Sequence, residues 1–326
     1  MRTWIRRLRT ALFACTFLVV GQASAAGFPS GPVTFVVGFP PGTSTDAIAR
    51  IIGEKLSSDW GQPVIVENKP GVGGSLAVAQ VKRAKPDGHT LVLSATAPMN
   101  INPFVYADLK YDPLSDFDYV GQTTWLPYML VTNKQKGLDT FQKLIDYAKK
   151  NPDSLTFASI GMGTTSHLLM AMLMKKTGTS MVHVPYKGSS QAQTDVIGGN
   201  VDMTFDTVVS TAPHVKDGRL QAIAVSTKKR AELAPDVPTI EESGVVGFNA
   251  GAWLGFFAPK GTPENILERI HADLNHALQD PAVRKRLIAL GSEVVMSPTR
   301  AAFQEMVEEN YRMWGDTAKA VGVAQQ

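Results

Sequence analysis

The chain has 326 residues, 44% of them hydrophobic and 19% charged. It is long enough for two domains of ordinary size and unlike a disordered chain or a polytopic membrane protein. Its 32 Lys and Arg against 29 Asp and Glu give a formal net charge of +3, too small an excess for a nucleic-acid surface, and a single cysteine excludes a disulfide framework, a cysteine zinc site and a CxxC redox centre.

In chain order, Arg2, Arg6, Arg7 and Arg9 precede an apolar run from Ala11 to Val20, and Ala23-Ser24-Ala25 follows. A basic start, a short apolar stretch and small residues at both cleavage positions read as a secretory signal peptide over residues 1–25. The run is far shorter than the roughly 20 residues of a membrane span. Cys15 lies inside it instead of after it, which argues against a lipoprotein. Cleavage would remove four Arg and the only Cys, leaving 28 basic and 29 acidic residues and a formal charge of −1. A soluble periplasmic protein without disulfides is the expectation.

Val33–Phe39 is a short β-branched run and predicts a buried strand, broken by Pro40-Pro41-Gly42. Ile48, Ile51, Ile52 and Leu56 then repeat at helical spacing, with Ser44, Thr45 and Asp46 as candidate caps. Pro63–Glu67 predicts a strand, residues 68–74 a glycine-rich loop, and Ala77, Val78 and Val81 a small-residue helix. Pro86-Asp87-Gly88 turns into the strand Thr90–Ala95. Phe141, Leu144, Ile145 and Ala148 mark a helix ended by Asn151-Pro152-Asp153. Further strands are predicted at Leu155–Ile160, Met181–Tyr186, Val201–Phe205 and Leu220–Ser226, and helices at about 166–176, 266–278 and 299–319. Alternating strands and helices predict an α/β fold with open, mostly parallel sheets covered on both faces. Trp125–Val131 and Trp253–Pro259 echo each other as apolar strands leading through polar turns to amphipathic helices. That echo suggests two related lobes, with these strands where the chain changes lobe.

Two loops stand out. Phe39-Pro40-Pro41-Gly42-Thr43-Ser44-Thr45-Asp46 and Ser159-Ile160-Gly161-Met162-Gly163-Thr164-Thr165-Ser166-His167 place Gly and hydroxyl residues where a strand ends and a helix begins. There the unpaired N–H groups and the helix dipole favour an anion. The competing reading is that Ser and Thr cap the helices and the glycines only make the turn. Neither loop matches G-x-x-x-x-G-K-[ST] or G-x-G-x-x-G. Of six histidines only His167 falls in such a loop, and His183 lies on the strand after it. No H-x-x-x-H zinc spacing and no G-x-S-x-G elbow is present. The expectation is a binding protein without cofactor, metal or catalytic residue.

The ordered motifs FPPG-x-STD-x-x-AR (39–50), VEN-x-PG-x-GG (66–74), KPDGHTL (85–91), G-x-G-T-x-x-HL (161–168), HVPYKG (183–188), GG-x-VD-x-x-F (198–205), AVST-x-x-R (224–230), PDVPT-x-x-E (235–242) and FAPKGTP (257–263) span the chain after residue 25. In this order they resemble the Bug family, extracytoplasmic substrate-binding proteins of tripartite tricarboxylate transporters. The resemblance implies a two-lobed Venus-flytrap fold of the type II periplasmic binding proteins. Lobe 1 would comprise residues 26–124 and 251–326, and lobe 2 residues 125–250. It implies a monomer that holds a small carboxylate in the cleft and delivers it to a permease of one large and one small membrane subunit. Carried over, the pincers are Phe39, Pro41, Gly42, Thr43, Ser44, Thr45 and Asp46 from one lobe, and Ser159, Gly161, Gly163, Thr164, Thr165 and His167 from the other. Ala95, Thr96 and Asp206 would line the cleft. Thr43 departs from the family, which usually has a second Gly there; it would restrict the loop or add a donor to the ligand. A sensory protein of the same fold is the main alternative, and an enzyme acting on a carboxylate the third.

Overall fold

The computed structural model describes residues 27–320 and residue 322, so the signal-peptide reading lies outside the described residues. In the first part of the chain, β1 (Val33–Val37), α1 (Ser44–Trp60), β2 (Val64–Asn68), α2 (Ser75–Lys82) and β3 (Thr90–Ala95) follow one another. A π-helical turn (Ala97–Ile101) leads into the short α3 (Asn102–Val105) and then β4 (Phe117–Leu126). The middle holds β5 (Tyr128–Thr132), α4 (Phe141–Lys150), β6 (Thr156–Ser159), α5 (Thr165–Thr177), β7 (Val182–Pro185), α6 (Ser189–Gly198), β8 (Met203–Thr207), α7 (Val208–Lys216) and β9 (Gln221–Val225). The last part holds β10 (Ala252–Pro259), α8 (Glu264–Gln279), α9 (Pro281–Ala289), β11 (Glu293–Val294) and α10 (Arg300–Ala320).

The strands form two sheets, ordered β11-β4-β10-β3-β1-β2 and β7-β6-β8-β5-β9. The chain passes from the first sheet to the second at Pro127, between β4 and β5, and returns between β9 and β10. The fold is therefore α/β and two-lobed, as the residues implied. Both sheets are mixed. In the first, β1, β2, β3 and β4 share a direction and β10 and β11 oppose it. In the second, only β5 is reversed.

The echo between Trp125–Val131 and Trp253–Pro259 needs correcting. Trp253–Pro259 lies within one strand, β10, whereas Trp125–Val131 is split at Pro127 between strands of different sheets. Pro127 lacks an N–H and cannot sit inside a ladder, so it breaks an otherwise uniform apolar run.

β10 is buried along its whole length because both faces of its sheet are covered. On one face Phe256 meets Phe35 at a ring-centroid distance of 4.5 Å. On the other, Trp253, Phe257, Tyr119 and Phe303 form one aromatic cluster, with Phe303 contributed by α10. Each fully buried ring of this kind contributes about 1.5–3 kcal/mol. In the second lobe α4 buries Phe141, Leu144, Ile145 and Ala148, the residues whose helical spacing predicted it.

Candidate functional site

The two loops singled out in the sequence fold as near copies of each other. Gly42 and Gly163 both take positive φ, +83° and +69°, a region that L side chains enter only with strain. The residue after each is an extended N-cap: Thr43 at φ −74°, ψ 161° and Thr164 at φ −76°, ψ 162°. Each Thr hydroxyl donates to the carbonyl three residues back, Thr43 to Pro40 at 2.8 Å and Thr164 to Gly161 at 2.7 Å. Each also accepts an N–H from the first helical turn, Asp46 N and His167 N, both at 3.4 Å. In each loop the glycine N–H donates to the side chain four residues on: Gly42 to Asp46 Oδ2 at 2.9 Å, Gly163 to His167 Nδ1 at 3.2 Å. These two glycine N–H groups are therefore committed inside the protein.

The N–H groups of Ser44 and Thr45 and of Thr165 and Ser166 have no acceptor among the described residues. They are the first two positions of α1 and α5, where a helix offers no internal partner. Two matched pairs of donors thus stand at two helix N-termini, one in each lobe.

The departure at Thr43 is resolved by its geometry. The hydroxyl caps α1 and bonds Pro40, so it serves the loop in the way Thr164 does. Asp46 is buried and accepts from Arg50 Nε at 3.1 Å and from Asn68 Nδ2 at 2.9 Å as well as from Gly42. Burial pushes its carboxyl upward, but the bonds from Arg50, Gly42 and Asn68 together outweigh it and hold the carboxyl below the ordinary value. Asn68 also donates to the Phe39 carbonyl at 3.0 Å. The β2 residue Asn68, absent from the sequence-derived set, therefore ties the first loop down.

The second loop is braced without charge. Ser159 Oγ accepts the Gly161 N–H at 3.1 Å and lies 2.6 Å from His183 Nε2 and 3.0 Å from the Gly161 carbonyl. His183 stacks on His167 with centroids 4.0 Å apart and planes within 9°, and on Phe157 at 4.8 Å. Burial, with His183 alongside, pulls His167 down to about 4, and burial lowers His183 too. His183 was not among the sequence-derived candidates. The register that pairs it with Phe157 across β6 and β7 brings it under α5.

The other candidates are placed as follows. Pro41 is exposed and Phe39 half-buried. A Cβ on Gly74 would lie 3.3 Å from the Phe39 ring and 3.4 Å from Pro98, and one on Gly163 would lie 2.9 Å from Val105. The segment from the π-turn to α3 therefore lies beside both loops, and Gly163 packs against the opposite lobe. Ala95 and Thr96 are buried at the end of β3, with the Thr96 hydroxyl accepting the Trp253 N–H at 2.8 Å. Asp206 is buried on β8; its carboxylate accepts from Gln193 Nε2 at 2.8 Å and from the Thr207 N–H at 2.7 Å. Tyr128 is buried beside it, and its phenol is pushed up first by burial and then by Asp206, against a hydrogen bond with Thr165.

A cavity of about 700 Å³ lies elsewhere, between α7 and residues 233–237, with Met129, Val209, Pro213, Leu233 and Val237 in its wall. It offers mainly apolar surface and touches neither loop. No group of three or more His, Cys, Asp or Glu that could hold a metal is found among the described residues, and no helix there is long and apolar enough to cross a membrane.

The chain is 32% identical to protein BugT of Bordetella pertussis over 312 residues, covering 95% of both chains. It is similar to an R. palustris protein solved with adipate, at 31% identity and a TM-score of 0.78, covering 92% of this chain and 100% of the other. It is also similar to MatC of Rhodopseudomonas palustris with bound malate, at 34% identity and a TM-score of 0.73, covering 89% and 99%. Residues 48–323 match the sequence profile described as "Tripartite tricarboxylate transporter family receptor", and the chain belongs to that family of solute-binding receptors.

Proposed function

We propose that the protein is a periplasmic receptor that captures a small carboxylate between its lobes and presents it, without chemical change, to a membrane permease. The observation that carries this reading is the pair of matched helix starts. Ser44 and Thr45 N–H from one lobe and Thr165 and Ser166 N–H from the other are free to donate. One carboxylate has lone pairs enough to accept from both. Closure then gains hydrogen bonds from both lobes at once, and this difference between open and closed states is what lets a ligand drive the switch. The adipate and malate held by similar proteins support a dicarboxylate of four to six carbons as the first class to test.

In this reading Gly42, Gly163, Thr43, Thr164, Asp46 and Ser159 shape the grips, and the first-turn N–H groups with the Ser44 and Thr45 hydroxyls hold the ligand. Asp46 supports its loop, because a carboxylate already bonded to Arg50 and Asn68 has no proton for a ligand anion. Pro41, Phe39, Ala95, Thr96 and Asp206 set the walls beyond.

Thermal unfolding against dicarboxylic acids and their diesters tests the carboxylate. An acid at a hundredfold excess over its Kd raises Tm by about 5–10 °C and the diester leaves it unmoved. Equal shifts from acid and ester overturn the reading. Ser44→Pro and Thr165→Pro test the grip. Each removes one N–H at a position where helices accept proline, after a cap whose extended ψ suits it. Each is expected to weaken binding about tenfold, and unchanged affinity in both folded variants rejects these donors.

A further inference from the structure

We propose that His183 is a positioning residue for the second grip, fixing Ser159 and the His167 ring so that His167 Nε2–H is offered to the ligand carboxylate. The inference rests on the carboxylate reading above and adds a residue to it.

The hydrogen bonds around the two rings assign the protons. His167 Nδ1 accepts the Gly163 N–H at 3.2 Å, so the neutral ring carries its proton on Nε2. Nε2 has no partner among the described residues, and it is not one of the fully enclosed polar atoms that lack one. It is a spare donor on the first turn of α5, the helix that also carries the Thr165 and Ser166 N–H groups. Ser159 Oγ has one proton and two acceptor positions. It accepts from Gly161 N–H, and the balanced assignment has it accept from His183 Nε2–H and donate to the Gly161 carbonyl. His183 thereby fixes the residue on which the Gly161 turn is built.

The stack makes the arrangement specific. Phe157 and His183 pair across two parallel strands, with the first turn of α5 laid over them, so His167 rests flat on His183. Two imidazoles 4.0 Å apart cannot both carry a charge at modest cost. A proton on His167 Nδ1 would also expel the Gly163 N–H from its acceptor. Burial is the larger cause that keeps His167 neutral, and a proton on His183 would add to it; its other stacked neighbour, Phe157, carries no charge. Burial in this stack, with His183 as one face of it, therefore keeps His167 in the one form that both accepts from Gly163 and donates outward.

Two variants separate brace from stack. His183→Phe keeps an aromatic ring over His167 and removes the Ser159 bond and the ionisable group; His183→Gln keeps a polar group and removes the ring. The first readout needs no ligand: the ¹⁵N imidazole titration of His167 in the free protein. Loss of the neighbouring ionisable ring is expected to move it up in both variants. The second readout is calorimetric titration with malate and adipate at pH 7, where affinity for whichever acid binds is expected to fall about tenfold. An unmoved His167 titration in both folded variants overturns the proposal whether or not either acid binds. A moved titration with unchanged affinity overturns the presentation of Nε2–H to the ligand. If the wild type binds neither acid, it is the choice of ligand class that has failed, and the titration alone decides the role of His183.

Discussion

The first loop is locked by a charge and the second by a neutral ring. Both use Gly-Thr, both cap a helix with the Thr hydroxyl, and both send the glycine N–H to the side chain four residues on. At that fourth position one has Asp46, an acceptor on both oxygens, bonded to Arg50 and Asn68. The other has His167, an acceptor on one side with a spare donor on the other. The first loop is exposed at Pro40, Pro41 and Gly42, whereas Gly163 is buried against Val105 of the opposite lobe. The same backbone device thus serves as a self-contained support in one lobe and as a support facing its neighbour in the other.

The largest effect expected from this difference is on acid stability. His167 sits at about 4 in the fold against an ordinary 6.5, so the unfolded chain binds the proton first as pH falls. Its contribution is complete above 6.5 and is lost progressively from there to 4, amounting to about 2–3 kcal/mol once residual solvent at the ring is allowed for. Asp46 has the opposite chemistry but a lower window. Its folded value lies below 3.8, so its contribution is present above 3.8 and is lost as pH falls through the lowered value. Urea unfolding at pH 7 and pH 4.5 should show the wild type losing more stability than His167→Gln. Equal losses would mean that the second loop holds no buried neutral histidine.

Asp46→Ala comes next. It leaves the Gly42 N–H, Asn68 and Arg50 without their shared acceptor, and Arg50 is half exposed and can turn to water. A loss of about 2 kcal/mol is expected, below the value for a fully enclosed ion pair. Asp46→Asn should recover part of it. A neutral variant as stable as wild type would make the charge irrelevant to the lock.

Much of this was open to reading in the residues. The strands at 33–37 and 90–95 and the helices of the two loops were signalled by apolar spacing and by Gly-Pro breaks. The duplication was also legible, as Gly42-Thr43-Ser44-Thr45-Asp46 and Gly163-Thr164-Thr165-Ser166-His167. β4 is muted by Gln122-Thr123-Thr124, polar residues buried in mid-strand, so alternation fails there although both faces are covered. His183 and Asn68 were out of reach for another reason. Each acts through strand register, His183 opposite Phe157 and Asn68 opposite Val37, and register is a property of pairing that spacing along one strand does not contain.

The glycines test the exposure difference. A Cβ at Gly42 meets nothing within 4 Å, while one at Gly163 meets Val105 at 2.9 Å. Both positions have positive φ, so Ala at either is strained by about 1 kcal/mol. Gly163→Ala should add up to about 1 kcal/mol more from the clash, and Gly163→Ala with Val105→Ala should recover that excess. Equal costs at the two glycines would mean that the lobes do not meet at Val105 in solution.

The smallest expected effect is the most direct check on the duplication. Thr43 and Thr164 differ by 2° in φ and 1° in ψ, and their hydroxyl bonds differ by 0.1 Å or less. Removing either hydroxyl frees one first-turn N–H and one loop carbonyl, so Thr43→Ala and Thr164→Ala should each cost about 1 kcal/mol, and Ser at either should restore most of it. The N–H groups of residues 44, 45, 165 and 166 are placed by these caps, so each Ala variant should weaken carboxylate binding by a similar factor. If only Thr164→Ala weakens binding, the lobe-1 loop is a support without a grip. The shared backbone geometry would then be an inheritance of the strand-turn-helix unit, with the ligand held from one side alone.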